Sequence, residues 1–565
     1  MPQDLFTIKR YALELNNLLA GAKVNKVTQP NNDEVILTLY NGKVFNLTFN
    51  ASAKFCRVCI TNTLKESPLV APNFCMLLRK HLGSSTILNV DVLNEDRIIC
   101  VNFKSSSEFS DNETFCLITE VMGKYSNVFL TQNGTILGAL KNTSQTLDYK
   151  RVNLVKSKYT LPEKQNKLSA SSLENLKLCF KNYNGENLSA FILNNFNEFA
   201  PITAKELEHR ILSKNNGVFN SKIAVNETLN FINETSAPNV IINGKLGEFY
   251  AVNYTSLNGQ KKQFESVIEA MNYAYSNAEN LDFITSKQNA LMQKINAQEK
   301  KLIKKKALLE SKVKESENSE IFKLYGELLT SYAYSIKKGQ TSATLLNYYN
   351  NKEINVALDE NLTATQNAQS YYKKYSKLKN TAIKTLPQIE KIDEELEYLE
   401  GVKLSVTLSK TKLDFNELEE ELLLNSNAKI QKNDKKQPKK AVKSDYIRYE
   451  IDGFDVLIGK NSLQNDKLFK ELSNIDLWFH VKNYTSCHAY VITKNKDVPA
   501  NIILTVSQIC AYYSKAKNEQ KVSVDYTLKK HVKKQAGKGF GAVTYTNFKT
   551  VVVTPNENEQ YKKMQ

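Results

Sequence analysis

The sequence predicts an α+β multidomain chain with a long antiparallel coiled-coil arm. Three observations predict it. Apolar runs of strand length flank Asn-Gly turns in the first 165 residues. Residues 281–431 nearly lack Gly and Pro and carry a heptad pattern. A basic low-complexity stretch then precedes a second α+β segment. At 565 residues, the length suggests roughly three or four domains.

Residues 1–165 alternate strand-like and short helical runs. Val35 to Tyr40, Asn41-Gly42 and Val44 to Phe49 predict a hairpin, because Asn-Gly supplies the positive φ angles of a tight turn. Further strands are expected at Ile98–Phe103, Phe115–Glu120 and Asn127–Leu130. Asn133-Gly134 marks another turn. A helix is expected from Pro72 to about Leu82, with Pro72 in its first turn.

Residues 166–280 read as mainly helical and polar. Thr203-Ala-Lys-Glu206 predicts a capped helix start, since an N-cap hydroxyl and a Glu three residues on can satisfy each other's free N–H groups. Asn243-Gly244 predicts a small hairpin.

Between 281 and 431, Ile284, Leu291, Ile295, Leu302 and Leu309 fall at alternating four- and three-residue steps. Gln288, Gln298 and Lys305 fill the remaining seam positions. A second seam runs through Tyr371, Tyr375, Leu378, Ala382, Ile389, Ile392, Leu396 and Leu399. Residues 339–362 between them have strand and turn character. Two long helices around a short tip predict an arm that exits and returns.

Residues 429–443 are rich in Lys, and 432–443 form the expected basic linker. Residues 444–558 return to α+β. Strands are expected at Tyr446–Ile451, Asp455–Ile458, His488–Val491 and Val522–Asp525, with a helix over about Asn501–Ala516. Ala542–Thr546 and Thr550–Val553 read as a last strand pair.

The net charge is +17, which favours polyanionic partners. Only seven of the 76 basic residues are Arg, and Lys-plus-Asn enrichment is also what an AT-rich coding sequence produces. Met1-Pro2-Gln3-Asp4 lacks the pattern of a secretory leader. No apolar run reaches membrane-spanning length, so no membrane partner is expected. The eight Cys are scattered and read as buried free thiols, Cys100 and Cys116 among them. These features predict a cytoplasmic protein.

Few motifs carry chemistry. Cys56-Arg-Val-Cys59 has no second ligand pair nearby, so no metal is expected. His480 and His488 are eight residues apart, which is no ligand spacing. Pro2 could act as a secondary-amine nucleophile of a DNA glycosylase/lyase. Its neighbour Gln3 cannot transfer a proton at neutral pH, so that activity is expected to be absent. No phosphate-binding loop or dinucleotide fingerprint occurs. No cofactor and no catalytic residue is predicted.

Three segments suit RNA instead. Gly537-Lys-Gly-Phe-Gly541 contains Lys538 and follows Lys533 and Lys534. Such a turn can bring backbone N–H groups and lysines to a phosphate, although a plain tight turn explains it equally. Asp476-Leu-Trp-Phe-His480-Val-Lys482 can offer aromatic rings and an imidazole to bases, although packing explains Trp478. Asp96-Arg97 can grip a phosphate or a base, with the Asp holding the guanidinium, although a solvated strand mouth is the plainer reading.

Taken in order, several segments resemble the NFACT family of ribosome-associated quality control. They are Asn73 to Leu82, Asp96-Arg-Ile-Ile99, Glu120-Val-Met-Gly-Lys-Tyr-Ser-Asn127, Asn367 to Leu378, Gly459 to Asp466, Asp476 to His480 and Thr550 to Pro555. The resemblance spans almost the whole chain. It implies a glycosylase-like NFACT-N domain (1–165), a helix-hairpin-helix region (166–280), a coiled-coil arm (281–431) and an NFACT-R RNA-binding domain (444–558).

The resemblance also implies a function. Family members bind the large ribosomal subunit, through its rRNA, when peptidyl-tRNA obstructs it. They recruit aminoacyl-tRNA, alanyl-tRNA in bacteria, and drive untemplated C-terminal tailing of the stalled peptide. The ribosome makes the bonds. A small RNA-binding quality-control protein is a further implied partner. By motif match, Asp96 and Arg97 are the tRNA-recruiting pair. Asp4 matches an N-terminal family Asp, without the usual following Gly. Glu120, Gly123, Lys124, Ser126 and Asn127 belong to the same implied surface. His480, Lys482, Lys533, Lys534 and Lys538 are implied to face RNA in NFACT-R. Two segments depart from the pattern: Asn483-Tyr484-Thr485 after the His480 strand, and Phe199 to Thr203, which lacks a hairpin glycine. Two alternatives stand beside this reading: a surface adhesin binding fibronectin, as an older family name suggests, and a DNA-repair lyase relative.

Overall fold

A computed structural model describes residues 3–62, 64–105, 113–141, 151, 153–244, 246–426, 445–535 and 539–563. Pro2, the linker 432–443 and Lys538 lie outside the described residues. The chain divides into two units, Met1–Asp282 and Phe283–Gln565.

In the first unit, nine strands form one antiparallel sheet. They are β1 (Lys23–Asn31), β2 (Glu34–Asn41), β3 (Lys43–Asn50), β4 (Arg57–Ile60), β5 (Thr86–Val92), β6 (Ile98–Lys104), β7 (Thr114–Glu120), β8 (Asn127–Gln132) and β9 (Thr135–Ala139). Their order is β4-β3-β2-β1-β5-β6-β7-β8-β9. Two-residue alternation sorts the side chains. Ile99, Val101 and Phe103 enter the main core, while Ile98 and Cys100 join a smaller cluster with Ile118, Phe129 and Ile136. Asn133 and Gly134 both have positive φ, 49° and 74°, as the β8–β9 turn requires.

The expected Asn73–Leu82 helix is present, with Pro72 at its N-cap rather than inside its first turn. A further helix, Leu5–Leu19, is absent from the sequence expectation. It buries Ile8, Tyr11, Ala12, Leu15 and Leu19 at helical spacing.

Two corrections belong to this unit. Cys100 and Cys116 form a disulfide and are not free thiols. The register pairs Asn102 with Cys116, so Cys100 and Cys116 are diagonal neighbours on one face of β6 and β7. Their Cα atoms lie 6.2 Å apart, within bridging reach. The other correction is at Thr203. The helix there is Pro201–Ser213, with Pro201 in the first turn and Ala200 at the N-cap. Thr203 is the third residue of that first turn, its hydroxyl serves Asp4, and no capping box forms.

Helices Leu173–Lys181, Leu188–Asn195, Pro201–Ser213 and Ser221–Ile232 follow the sheet. A three-stranded sheet of β10 (Asn239–Asn243), β11 (Leu246–Tyr250) and β12 (Gln260–Gln263) comes next. The helix Val267–Glu317 then crosses residue 281 without a break.

In the second unit, that helix continues as the outgoing arm. The return is Ala364–Leu408, started by a Thr363/Gln366 capping box. Leu291, Ile295, Leu399, Val402 and Val406 form a buried cluster with Phe415 and Leu418 of the helix Lys412–Ser426. The arm's end carries the helix Ser319–Ser331 and a hairpin of β13 (Ser342–Asn347) and β14 (Lys352–Ala357).

Beyond the arm lie β15 (Ile447–Ile451), β16 (Phe454–Ile458), β17 (Leu477–Val481), β18 (Ala489–Ile492), β19 (Val522–Leu528), β20 (Val532–Lys534), β21 (Val543–Tyr545) and β22 (Lys549–Val553). The six-stranded sheet has the order β15-β16-β18-β17-β19-β22. The helix Ala500–Tyr512 packs in a core with Phe479 and Val481, while Trp478 lies in a separate cluster with Tyr446, Leu468, Tyr490 and Val532. The expected pairing of the last two strands does not occur. β21 pairs with β20, and β22 joins the large sheet beside β19. Strand adjacency in sequence does not decide pairing when an inserted ribbon offers a nearer partner.

Candidate nucleic-acid interface

In the first unit, a cavity of about 500 Å³ gathers Asp4, Asp96, Arg97, Lys164, Lys167 and Pro201. Asp96 and Arg97 sit in the bend that leads into β6, after Asn94 and Glu95 at positive φ. Asp96 Oδ1 accepts the Arg97 backbone N–H at 2.7 Å and lies 4.0 Å from Arg97 Nε. The Arg97 side chain is 45% exposed. Its guanidinium is therefore held loosely by one carboxylate and keeps donors for an incoming phosphate or base.

Asp4 is placed differently. It is buried and caps the helix Leu5–Leu19 by accepting from Thr7 N at 3.0 Å. Its other oxygen accepts from Ala200 N at 3.1 Å and Thr203 Oγ1 at 2.5 Å. Both oxygens thus tie the first helix to the segment entering Pro201–Ser213. Asp4 lines the cavity while serving as its internal brace.

The segment from Glu120 to Asn127 joins the same region through the backbone, because Val121 N donates to Arg97 O. Its side chains divide. Glu120 is buried, gripped by Arg151 Nη2 at 2.7 and 2.8 Å and by the Tyr159 hydroxyl at 2.7 Å. Burial together with this carboxylate pushes the Tyr159 phenol well above its ordinary value. Ser126 Oγ accepts Met122 N, and Asn127 holds both backbone groups of Lys141. Gly123, at φ +59°, opens a short turn that leaves Lys124 exposed. Among these residues Lys124 is the one that offers charge to solvent.

In the second unit, His480 lies on β17, its ring stacked 5.6 Å from Trp478. Burial pushes the imidazole down to about 4, against the opposing pull of the Val481 backbone and Asp525. Lys482 is exposed, with Nζ 5.9 Å above the Phe548 ring. Lys533 and Lys534 lie on β20; Lys533 is exposed, while Lys534 is ion-paired with Asp466. Asp466 also holds Lys470 at 2.8 Å. The implied RNA face is therefore partly charge-compensated. Lys460, 7% exposed, pairs with Asp414 at 2.6 Å and joins this domain to the helix Lys412–Ser426.

Sequence reasoning misses Lys164 and Lys167 beside Arg97, because a long segment separates them in the chain. It also misses His488 and Asn465. The link to His488 appears only in the structure: β17 and β18 pair Trp478 with Tyr490, and that register brings 480 opposite 488. Among the described residues, no group of three or more His, Cys, Asp or Glu side chains could hold a metal ion, and no helix is long and apolar enough to cross a membrane.

Comparison with known proteins adds to this geometry. Residues 4–441 match the NFACT N-terminal and middle domains, and residues 444–546 match the NFACT protein RNA binding domain. The chain is 33% identical to the Rqc2 homolog RqcH of Bacillus subtilis, covering 97% of each chain. It is 30% identical to the Rqc2 homolog RqcH of Streptococcus suis, covering 99% of each. Half of the chain is also similar to a solved structure, the N-terminal part of a fibronectin/fibrinogen-binding protein from Streptococcus suis. That likeness covers 49% of this chain and 100% of the other, at 24% identity and a TM-score of 0.43.

Proposed function

The chain belongs to the NFACT family, and on that premise we propose that it is a ribosome-associated quality-control factor of the cytoplasm. It binds the large ribosomal subunit obstructed by peptidyl-tRNA and recruits alanyl-tRNA for untemplated tailing of the stalled peptide. The ribosome performs peptidyl transfer; this protein positions RNA and makes no bond itself.

The observation that carries the reading is Arg97. It is a half-exposed guanidinium, loosely held by Asp96, at a polar cavity that also presents Lys164 and Lys167. Such a cavity suits a phosphate or base edge, because an arginine fork offers several donors in one plane. Asp4 and Glu120 support the surface from behind, and Lys124 adds charge on the connected turn. His480, Lys482 and Lys533 supply the second contact surface, with Lys538 as a further candidate. Separate contacts on one chain raise apparent affinity without any single tight pocket. Phosphate contacts make that affinity salt-dependent.

The test is to purify the protein from cells with stalled ribosomes, fractionate on a gradient and sequence the bound RNA. Co-migration with free large subunits, together with enriched alanine tRNA, is the expected result. Migration apart from large subunits, or no tRNA above background, would overturn the proposal.

A further inference from the structure

One cluster in the second unit carries buried hydrogen-bonding groups that the fold leaves unused. Trp478 on β17 faces Tyr490 on β18. His480 stacks on Trp478, and His488 meets both rings nearly edge-on at 5.5 Å. Trp478 and Tyr490 are fully buried, His488 is 4% exposed and Asn465 8%. Trp478 Nε1, His488 Nδ1, Tyr490 Oη and Asn465 Oδ1 have no hydrogen-bond partner. Buried polar groups nearly always find one, and two of these residues, Asn465 and His488, line a cavity that an occupant could fill.

There is room for it. A cavity of about 290 Å³ opens on Asn465 and His488, walled by Phe469, Phe540 and the ion-paired Asp466, Lys470 and Lys534. The adjoining cleft reaches His480 and Tyr545. Charge narrows the choice. Lys470 and Lys534 are both paired with Asp466, and Lys460 with Asp414. Burial pushes His480 down to about 4 and His488 down to about 3, so both rings are neutral at physiological pH. An anion would have to displace existing ion pairs. A flat neutral group with donors and acceptors on its edge would meet ring faces and unsatisfied atoms. Unpaired nucleobases are such groups, and single strands present them unstacked.

We propose that this cavity seats one unpaired nucleobase of a bound RNA strand, with Asn465 and His488 reading its edge among the aromatic side chains. The proposal rests on the RNA-binding reading of residues 444–546 and names the class of group the domain takes.

The experiment uses the full chain and fluorescence anisotropy. Two short single-stranded RNAs of equal length and charge are compared, one bearing bases and one abasic. Wild-type protein is expected to bind the base-bearing strand about tenfold more tightly. His488→Gln and Asn465→Ala are each expected to remove most of that preference, with folding checked by thermal melting. If both strands bind equally, or both folded variants keep the full preference, the base pocket is overturned while RNA binding stands. If wild-type protein binds neither strand, the RNA-binding reading falls with it. Should both variants unfold, the comparison of strands on wild-type protein decides alone.

Discussion

The backbone N–H of Val121 donates to the carbonyl oxygen of Arg97 at 2.8 Å. This bond extends the ladder between β6 and β7 by one step beyond Ile98 and Glu120. The Asp96-Arg97 bend is thereby fixed to the ends of two interior strands while the Arg97 side chain faces solvent. An arginine side chain on a rigid element can be removed without disturbing what holds it.

Arg97→Ala is accordingly expected to change stability by no more than about 0.5 kcal/mol, because the pair it breaks is long and exposed. Recovery of tRNA should fall roughly tenfold, as a lost charge-assisted contact implies. Equal tRNA recovery from wild type and variant, at matched large-subunit binding, would refute the assigned role.

Asp4→Ala should behave in the opposite manner. Its carboxylate accepts three hydrogen bonds, from Thr7, Ala200 and Thr203. Loss of a cap and of two buried bonds costs about 2 kcal/mol. A lower melting temperature is expected. A variant that melts like wild type but loses tRNA would instead make Asp4 a direct contact.

Glu206 gives the first unit an acid limit. Burial raises its carboxyl, but hydrogen bonds from Ser256, Thr255 and Arg210 outweigh that and hold it down to about 2. The folded value is below the ordinary 4.5. Its stabilisation is therefore complete above that value and is lost as pH falls from there toward 2, on the order of 3 kcal/mol. Glu206→Gln should lower stability at neutral pH and flatten its decline through this window, as read by denaturant unfolding. An unchanged acid limb would refute the assignment.

His480 and His488 act over a higher range. Both folded values lie below the ordinary 6.5, at about 4 and about 3. Protonation therefore favours the unfolded chain. The second unit should hold full stability above about pH 6.5 and lose up to about 1.4 kcal/mol per unit for each imidazole as pH falls below it. His488→Gln should make that decline shallower. The same slope in wild type and variant would show that His488 titrates freely.

By itself the sequence determined what depends on short spacings. Asn133-Gly134 dictated a turn because two successive positive φ angles admit few other residues. The heptad spacing of Leu291, Ile295 and Leu399 anticipated two long helices because it leaves one apolar seam to cover. Asp96-Arg97 was singled out through the family resemblance, since a charged pair before an apolar strand reads locally as a solvated strand mouth. Tertiary structure alone decided what depends on distant partners. It turned Thr203 from an expected cap into a partner of Asp4, and it bridged Cys100 to Cys116. Pairing also moved β21 away from β22, and a register set His480 beside His488. The physical reason is common to all four: local pattern fixes backbone geometry, but a side chain's role is set by what long-range packing brings within about 3 Å of it.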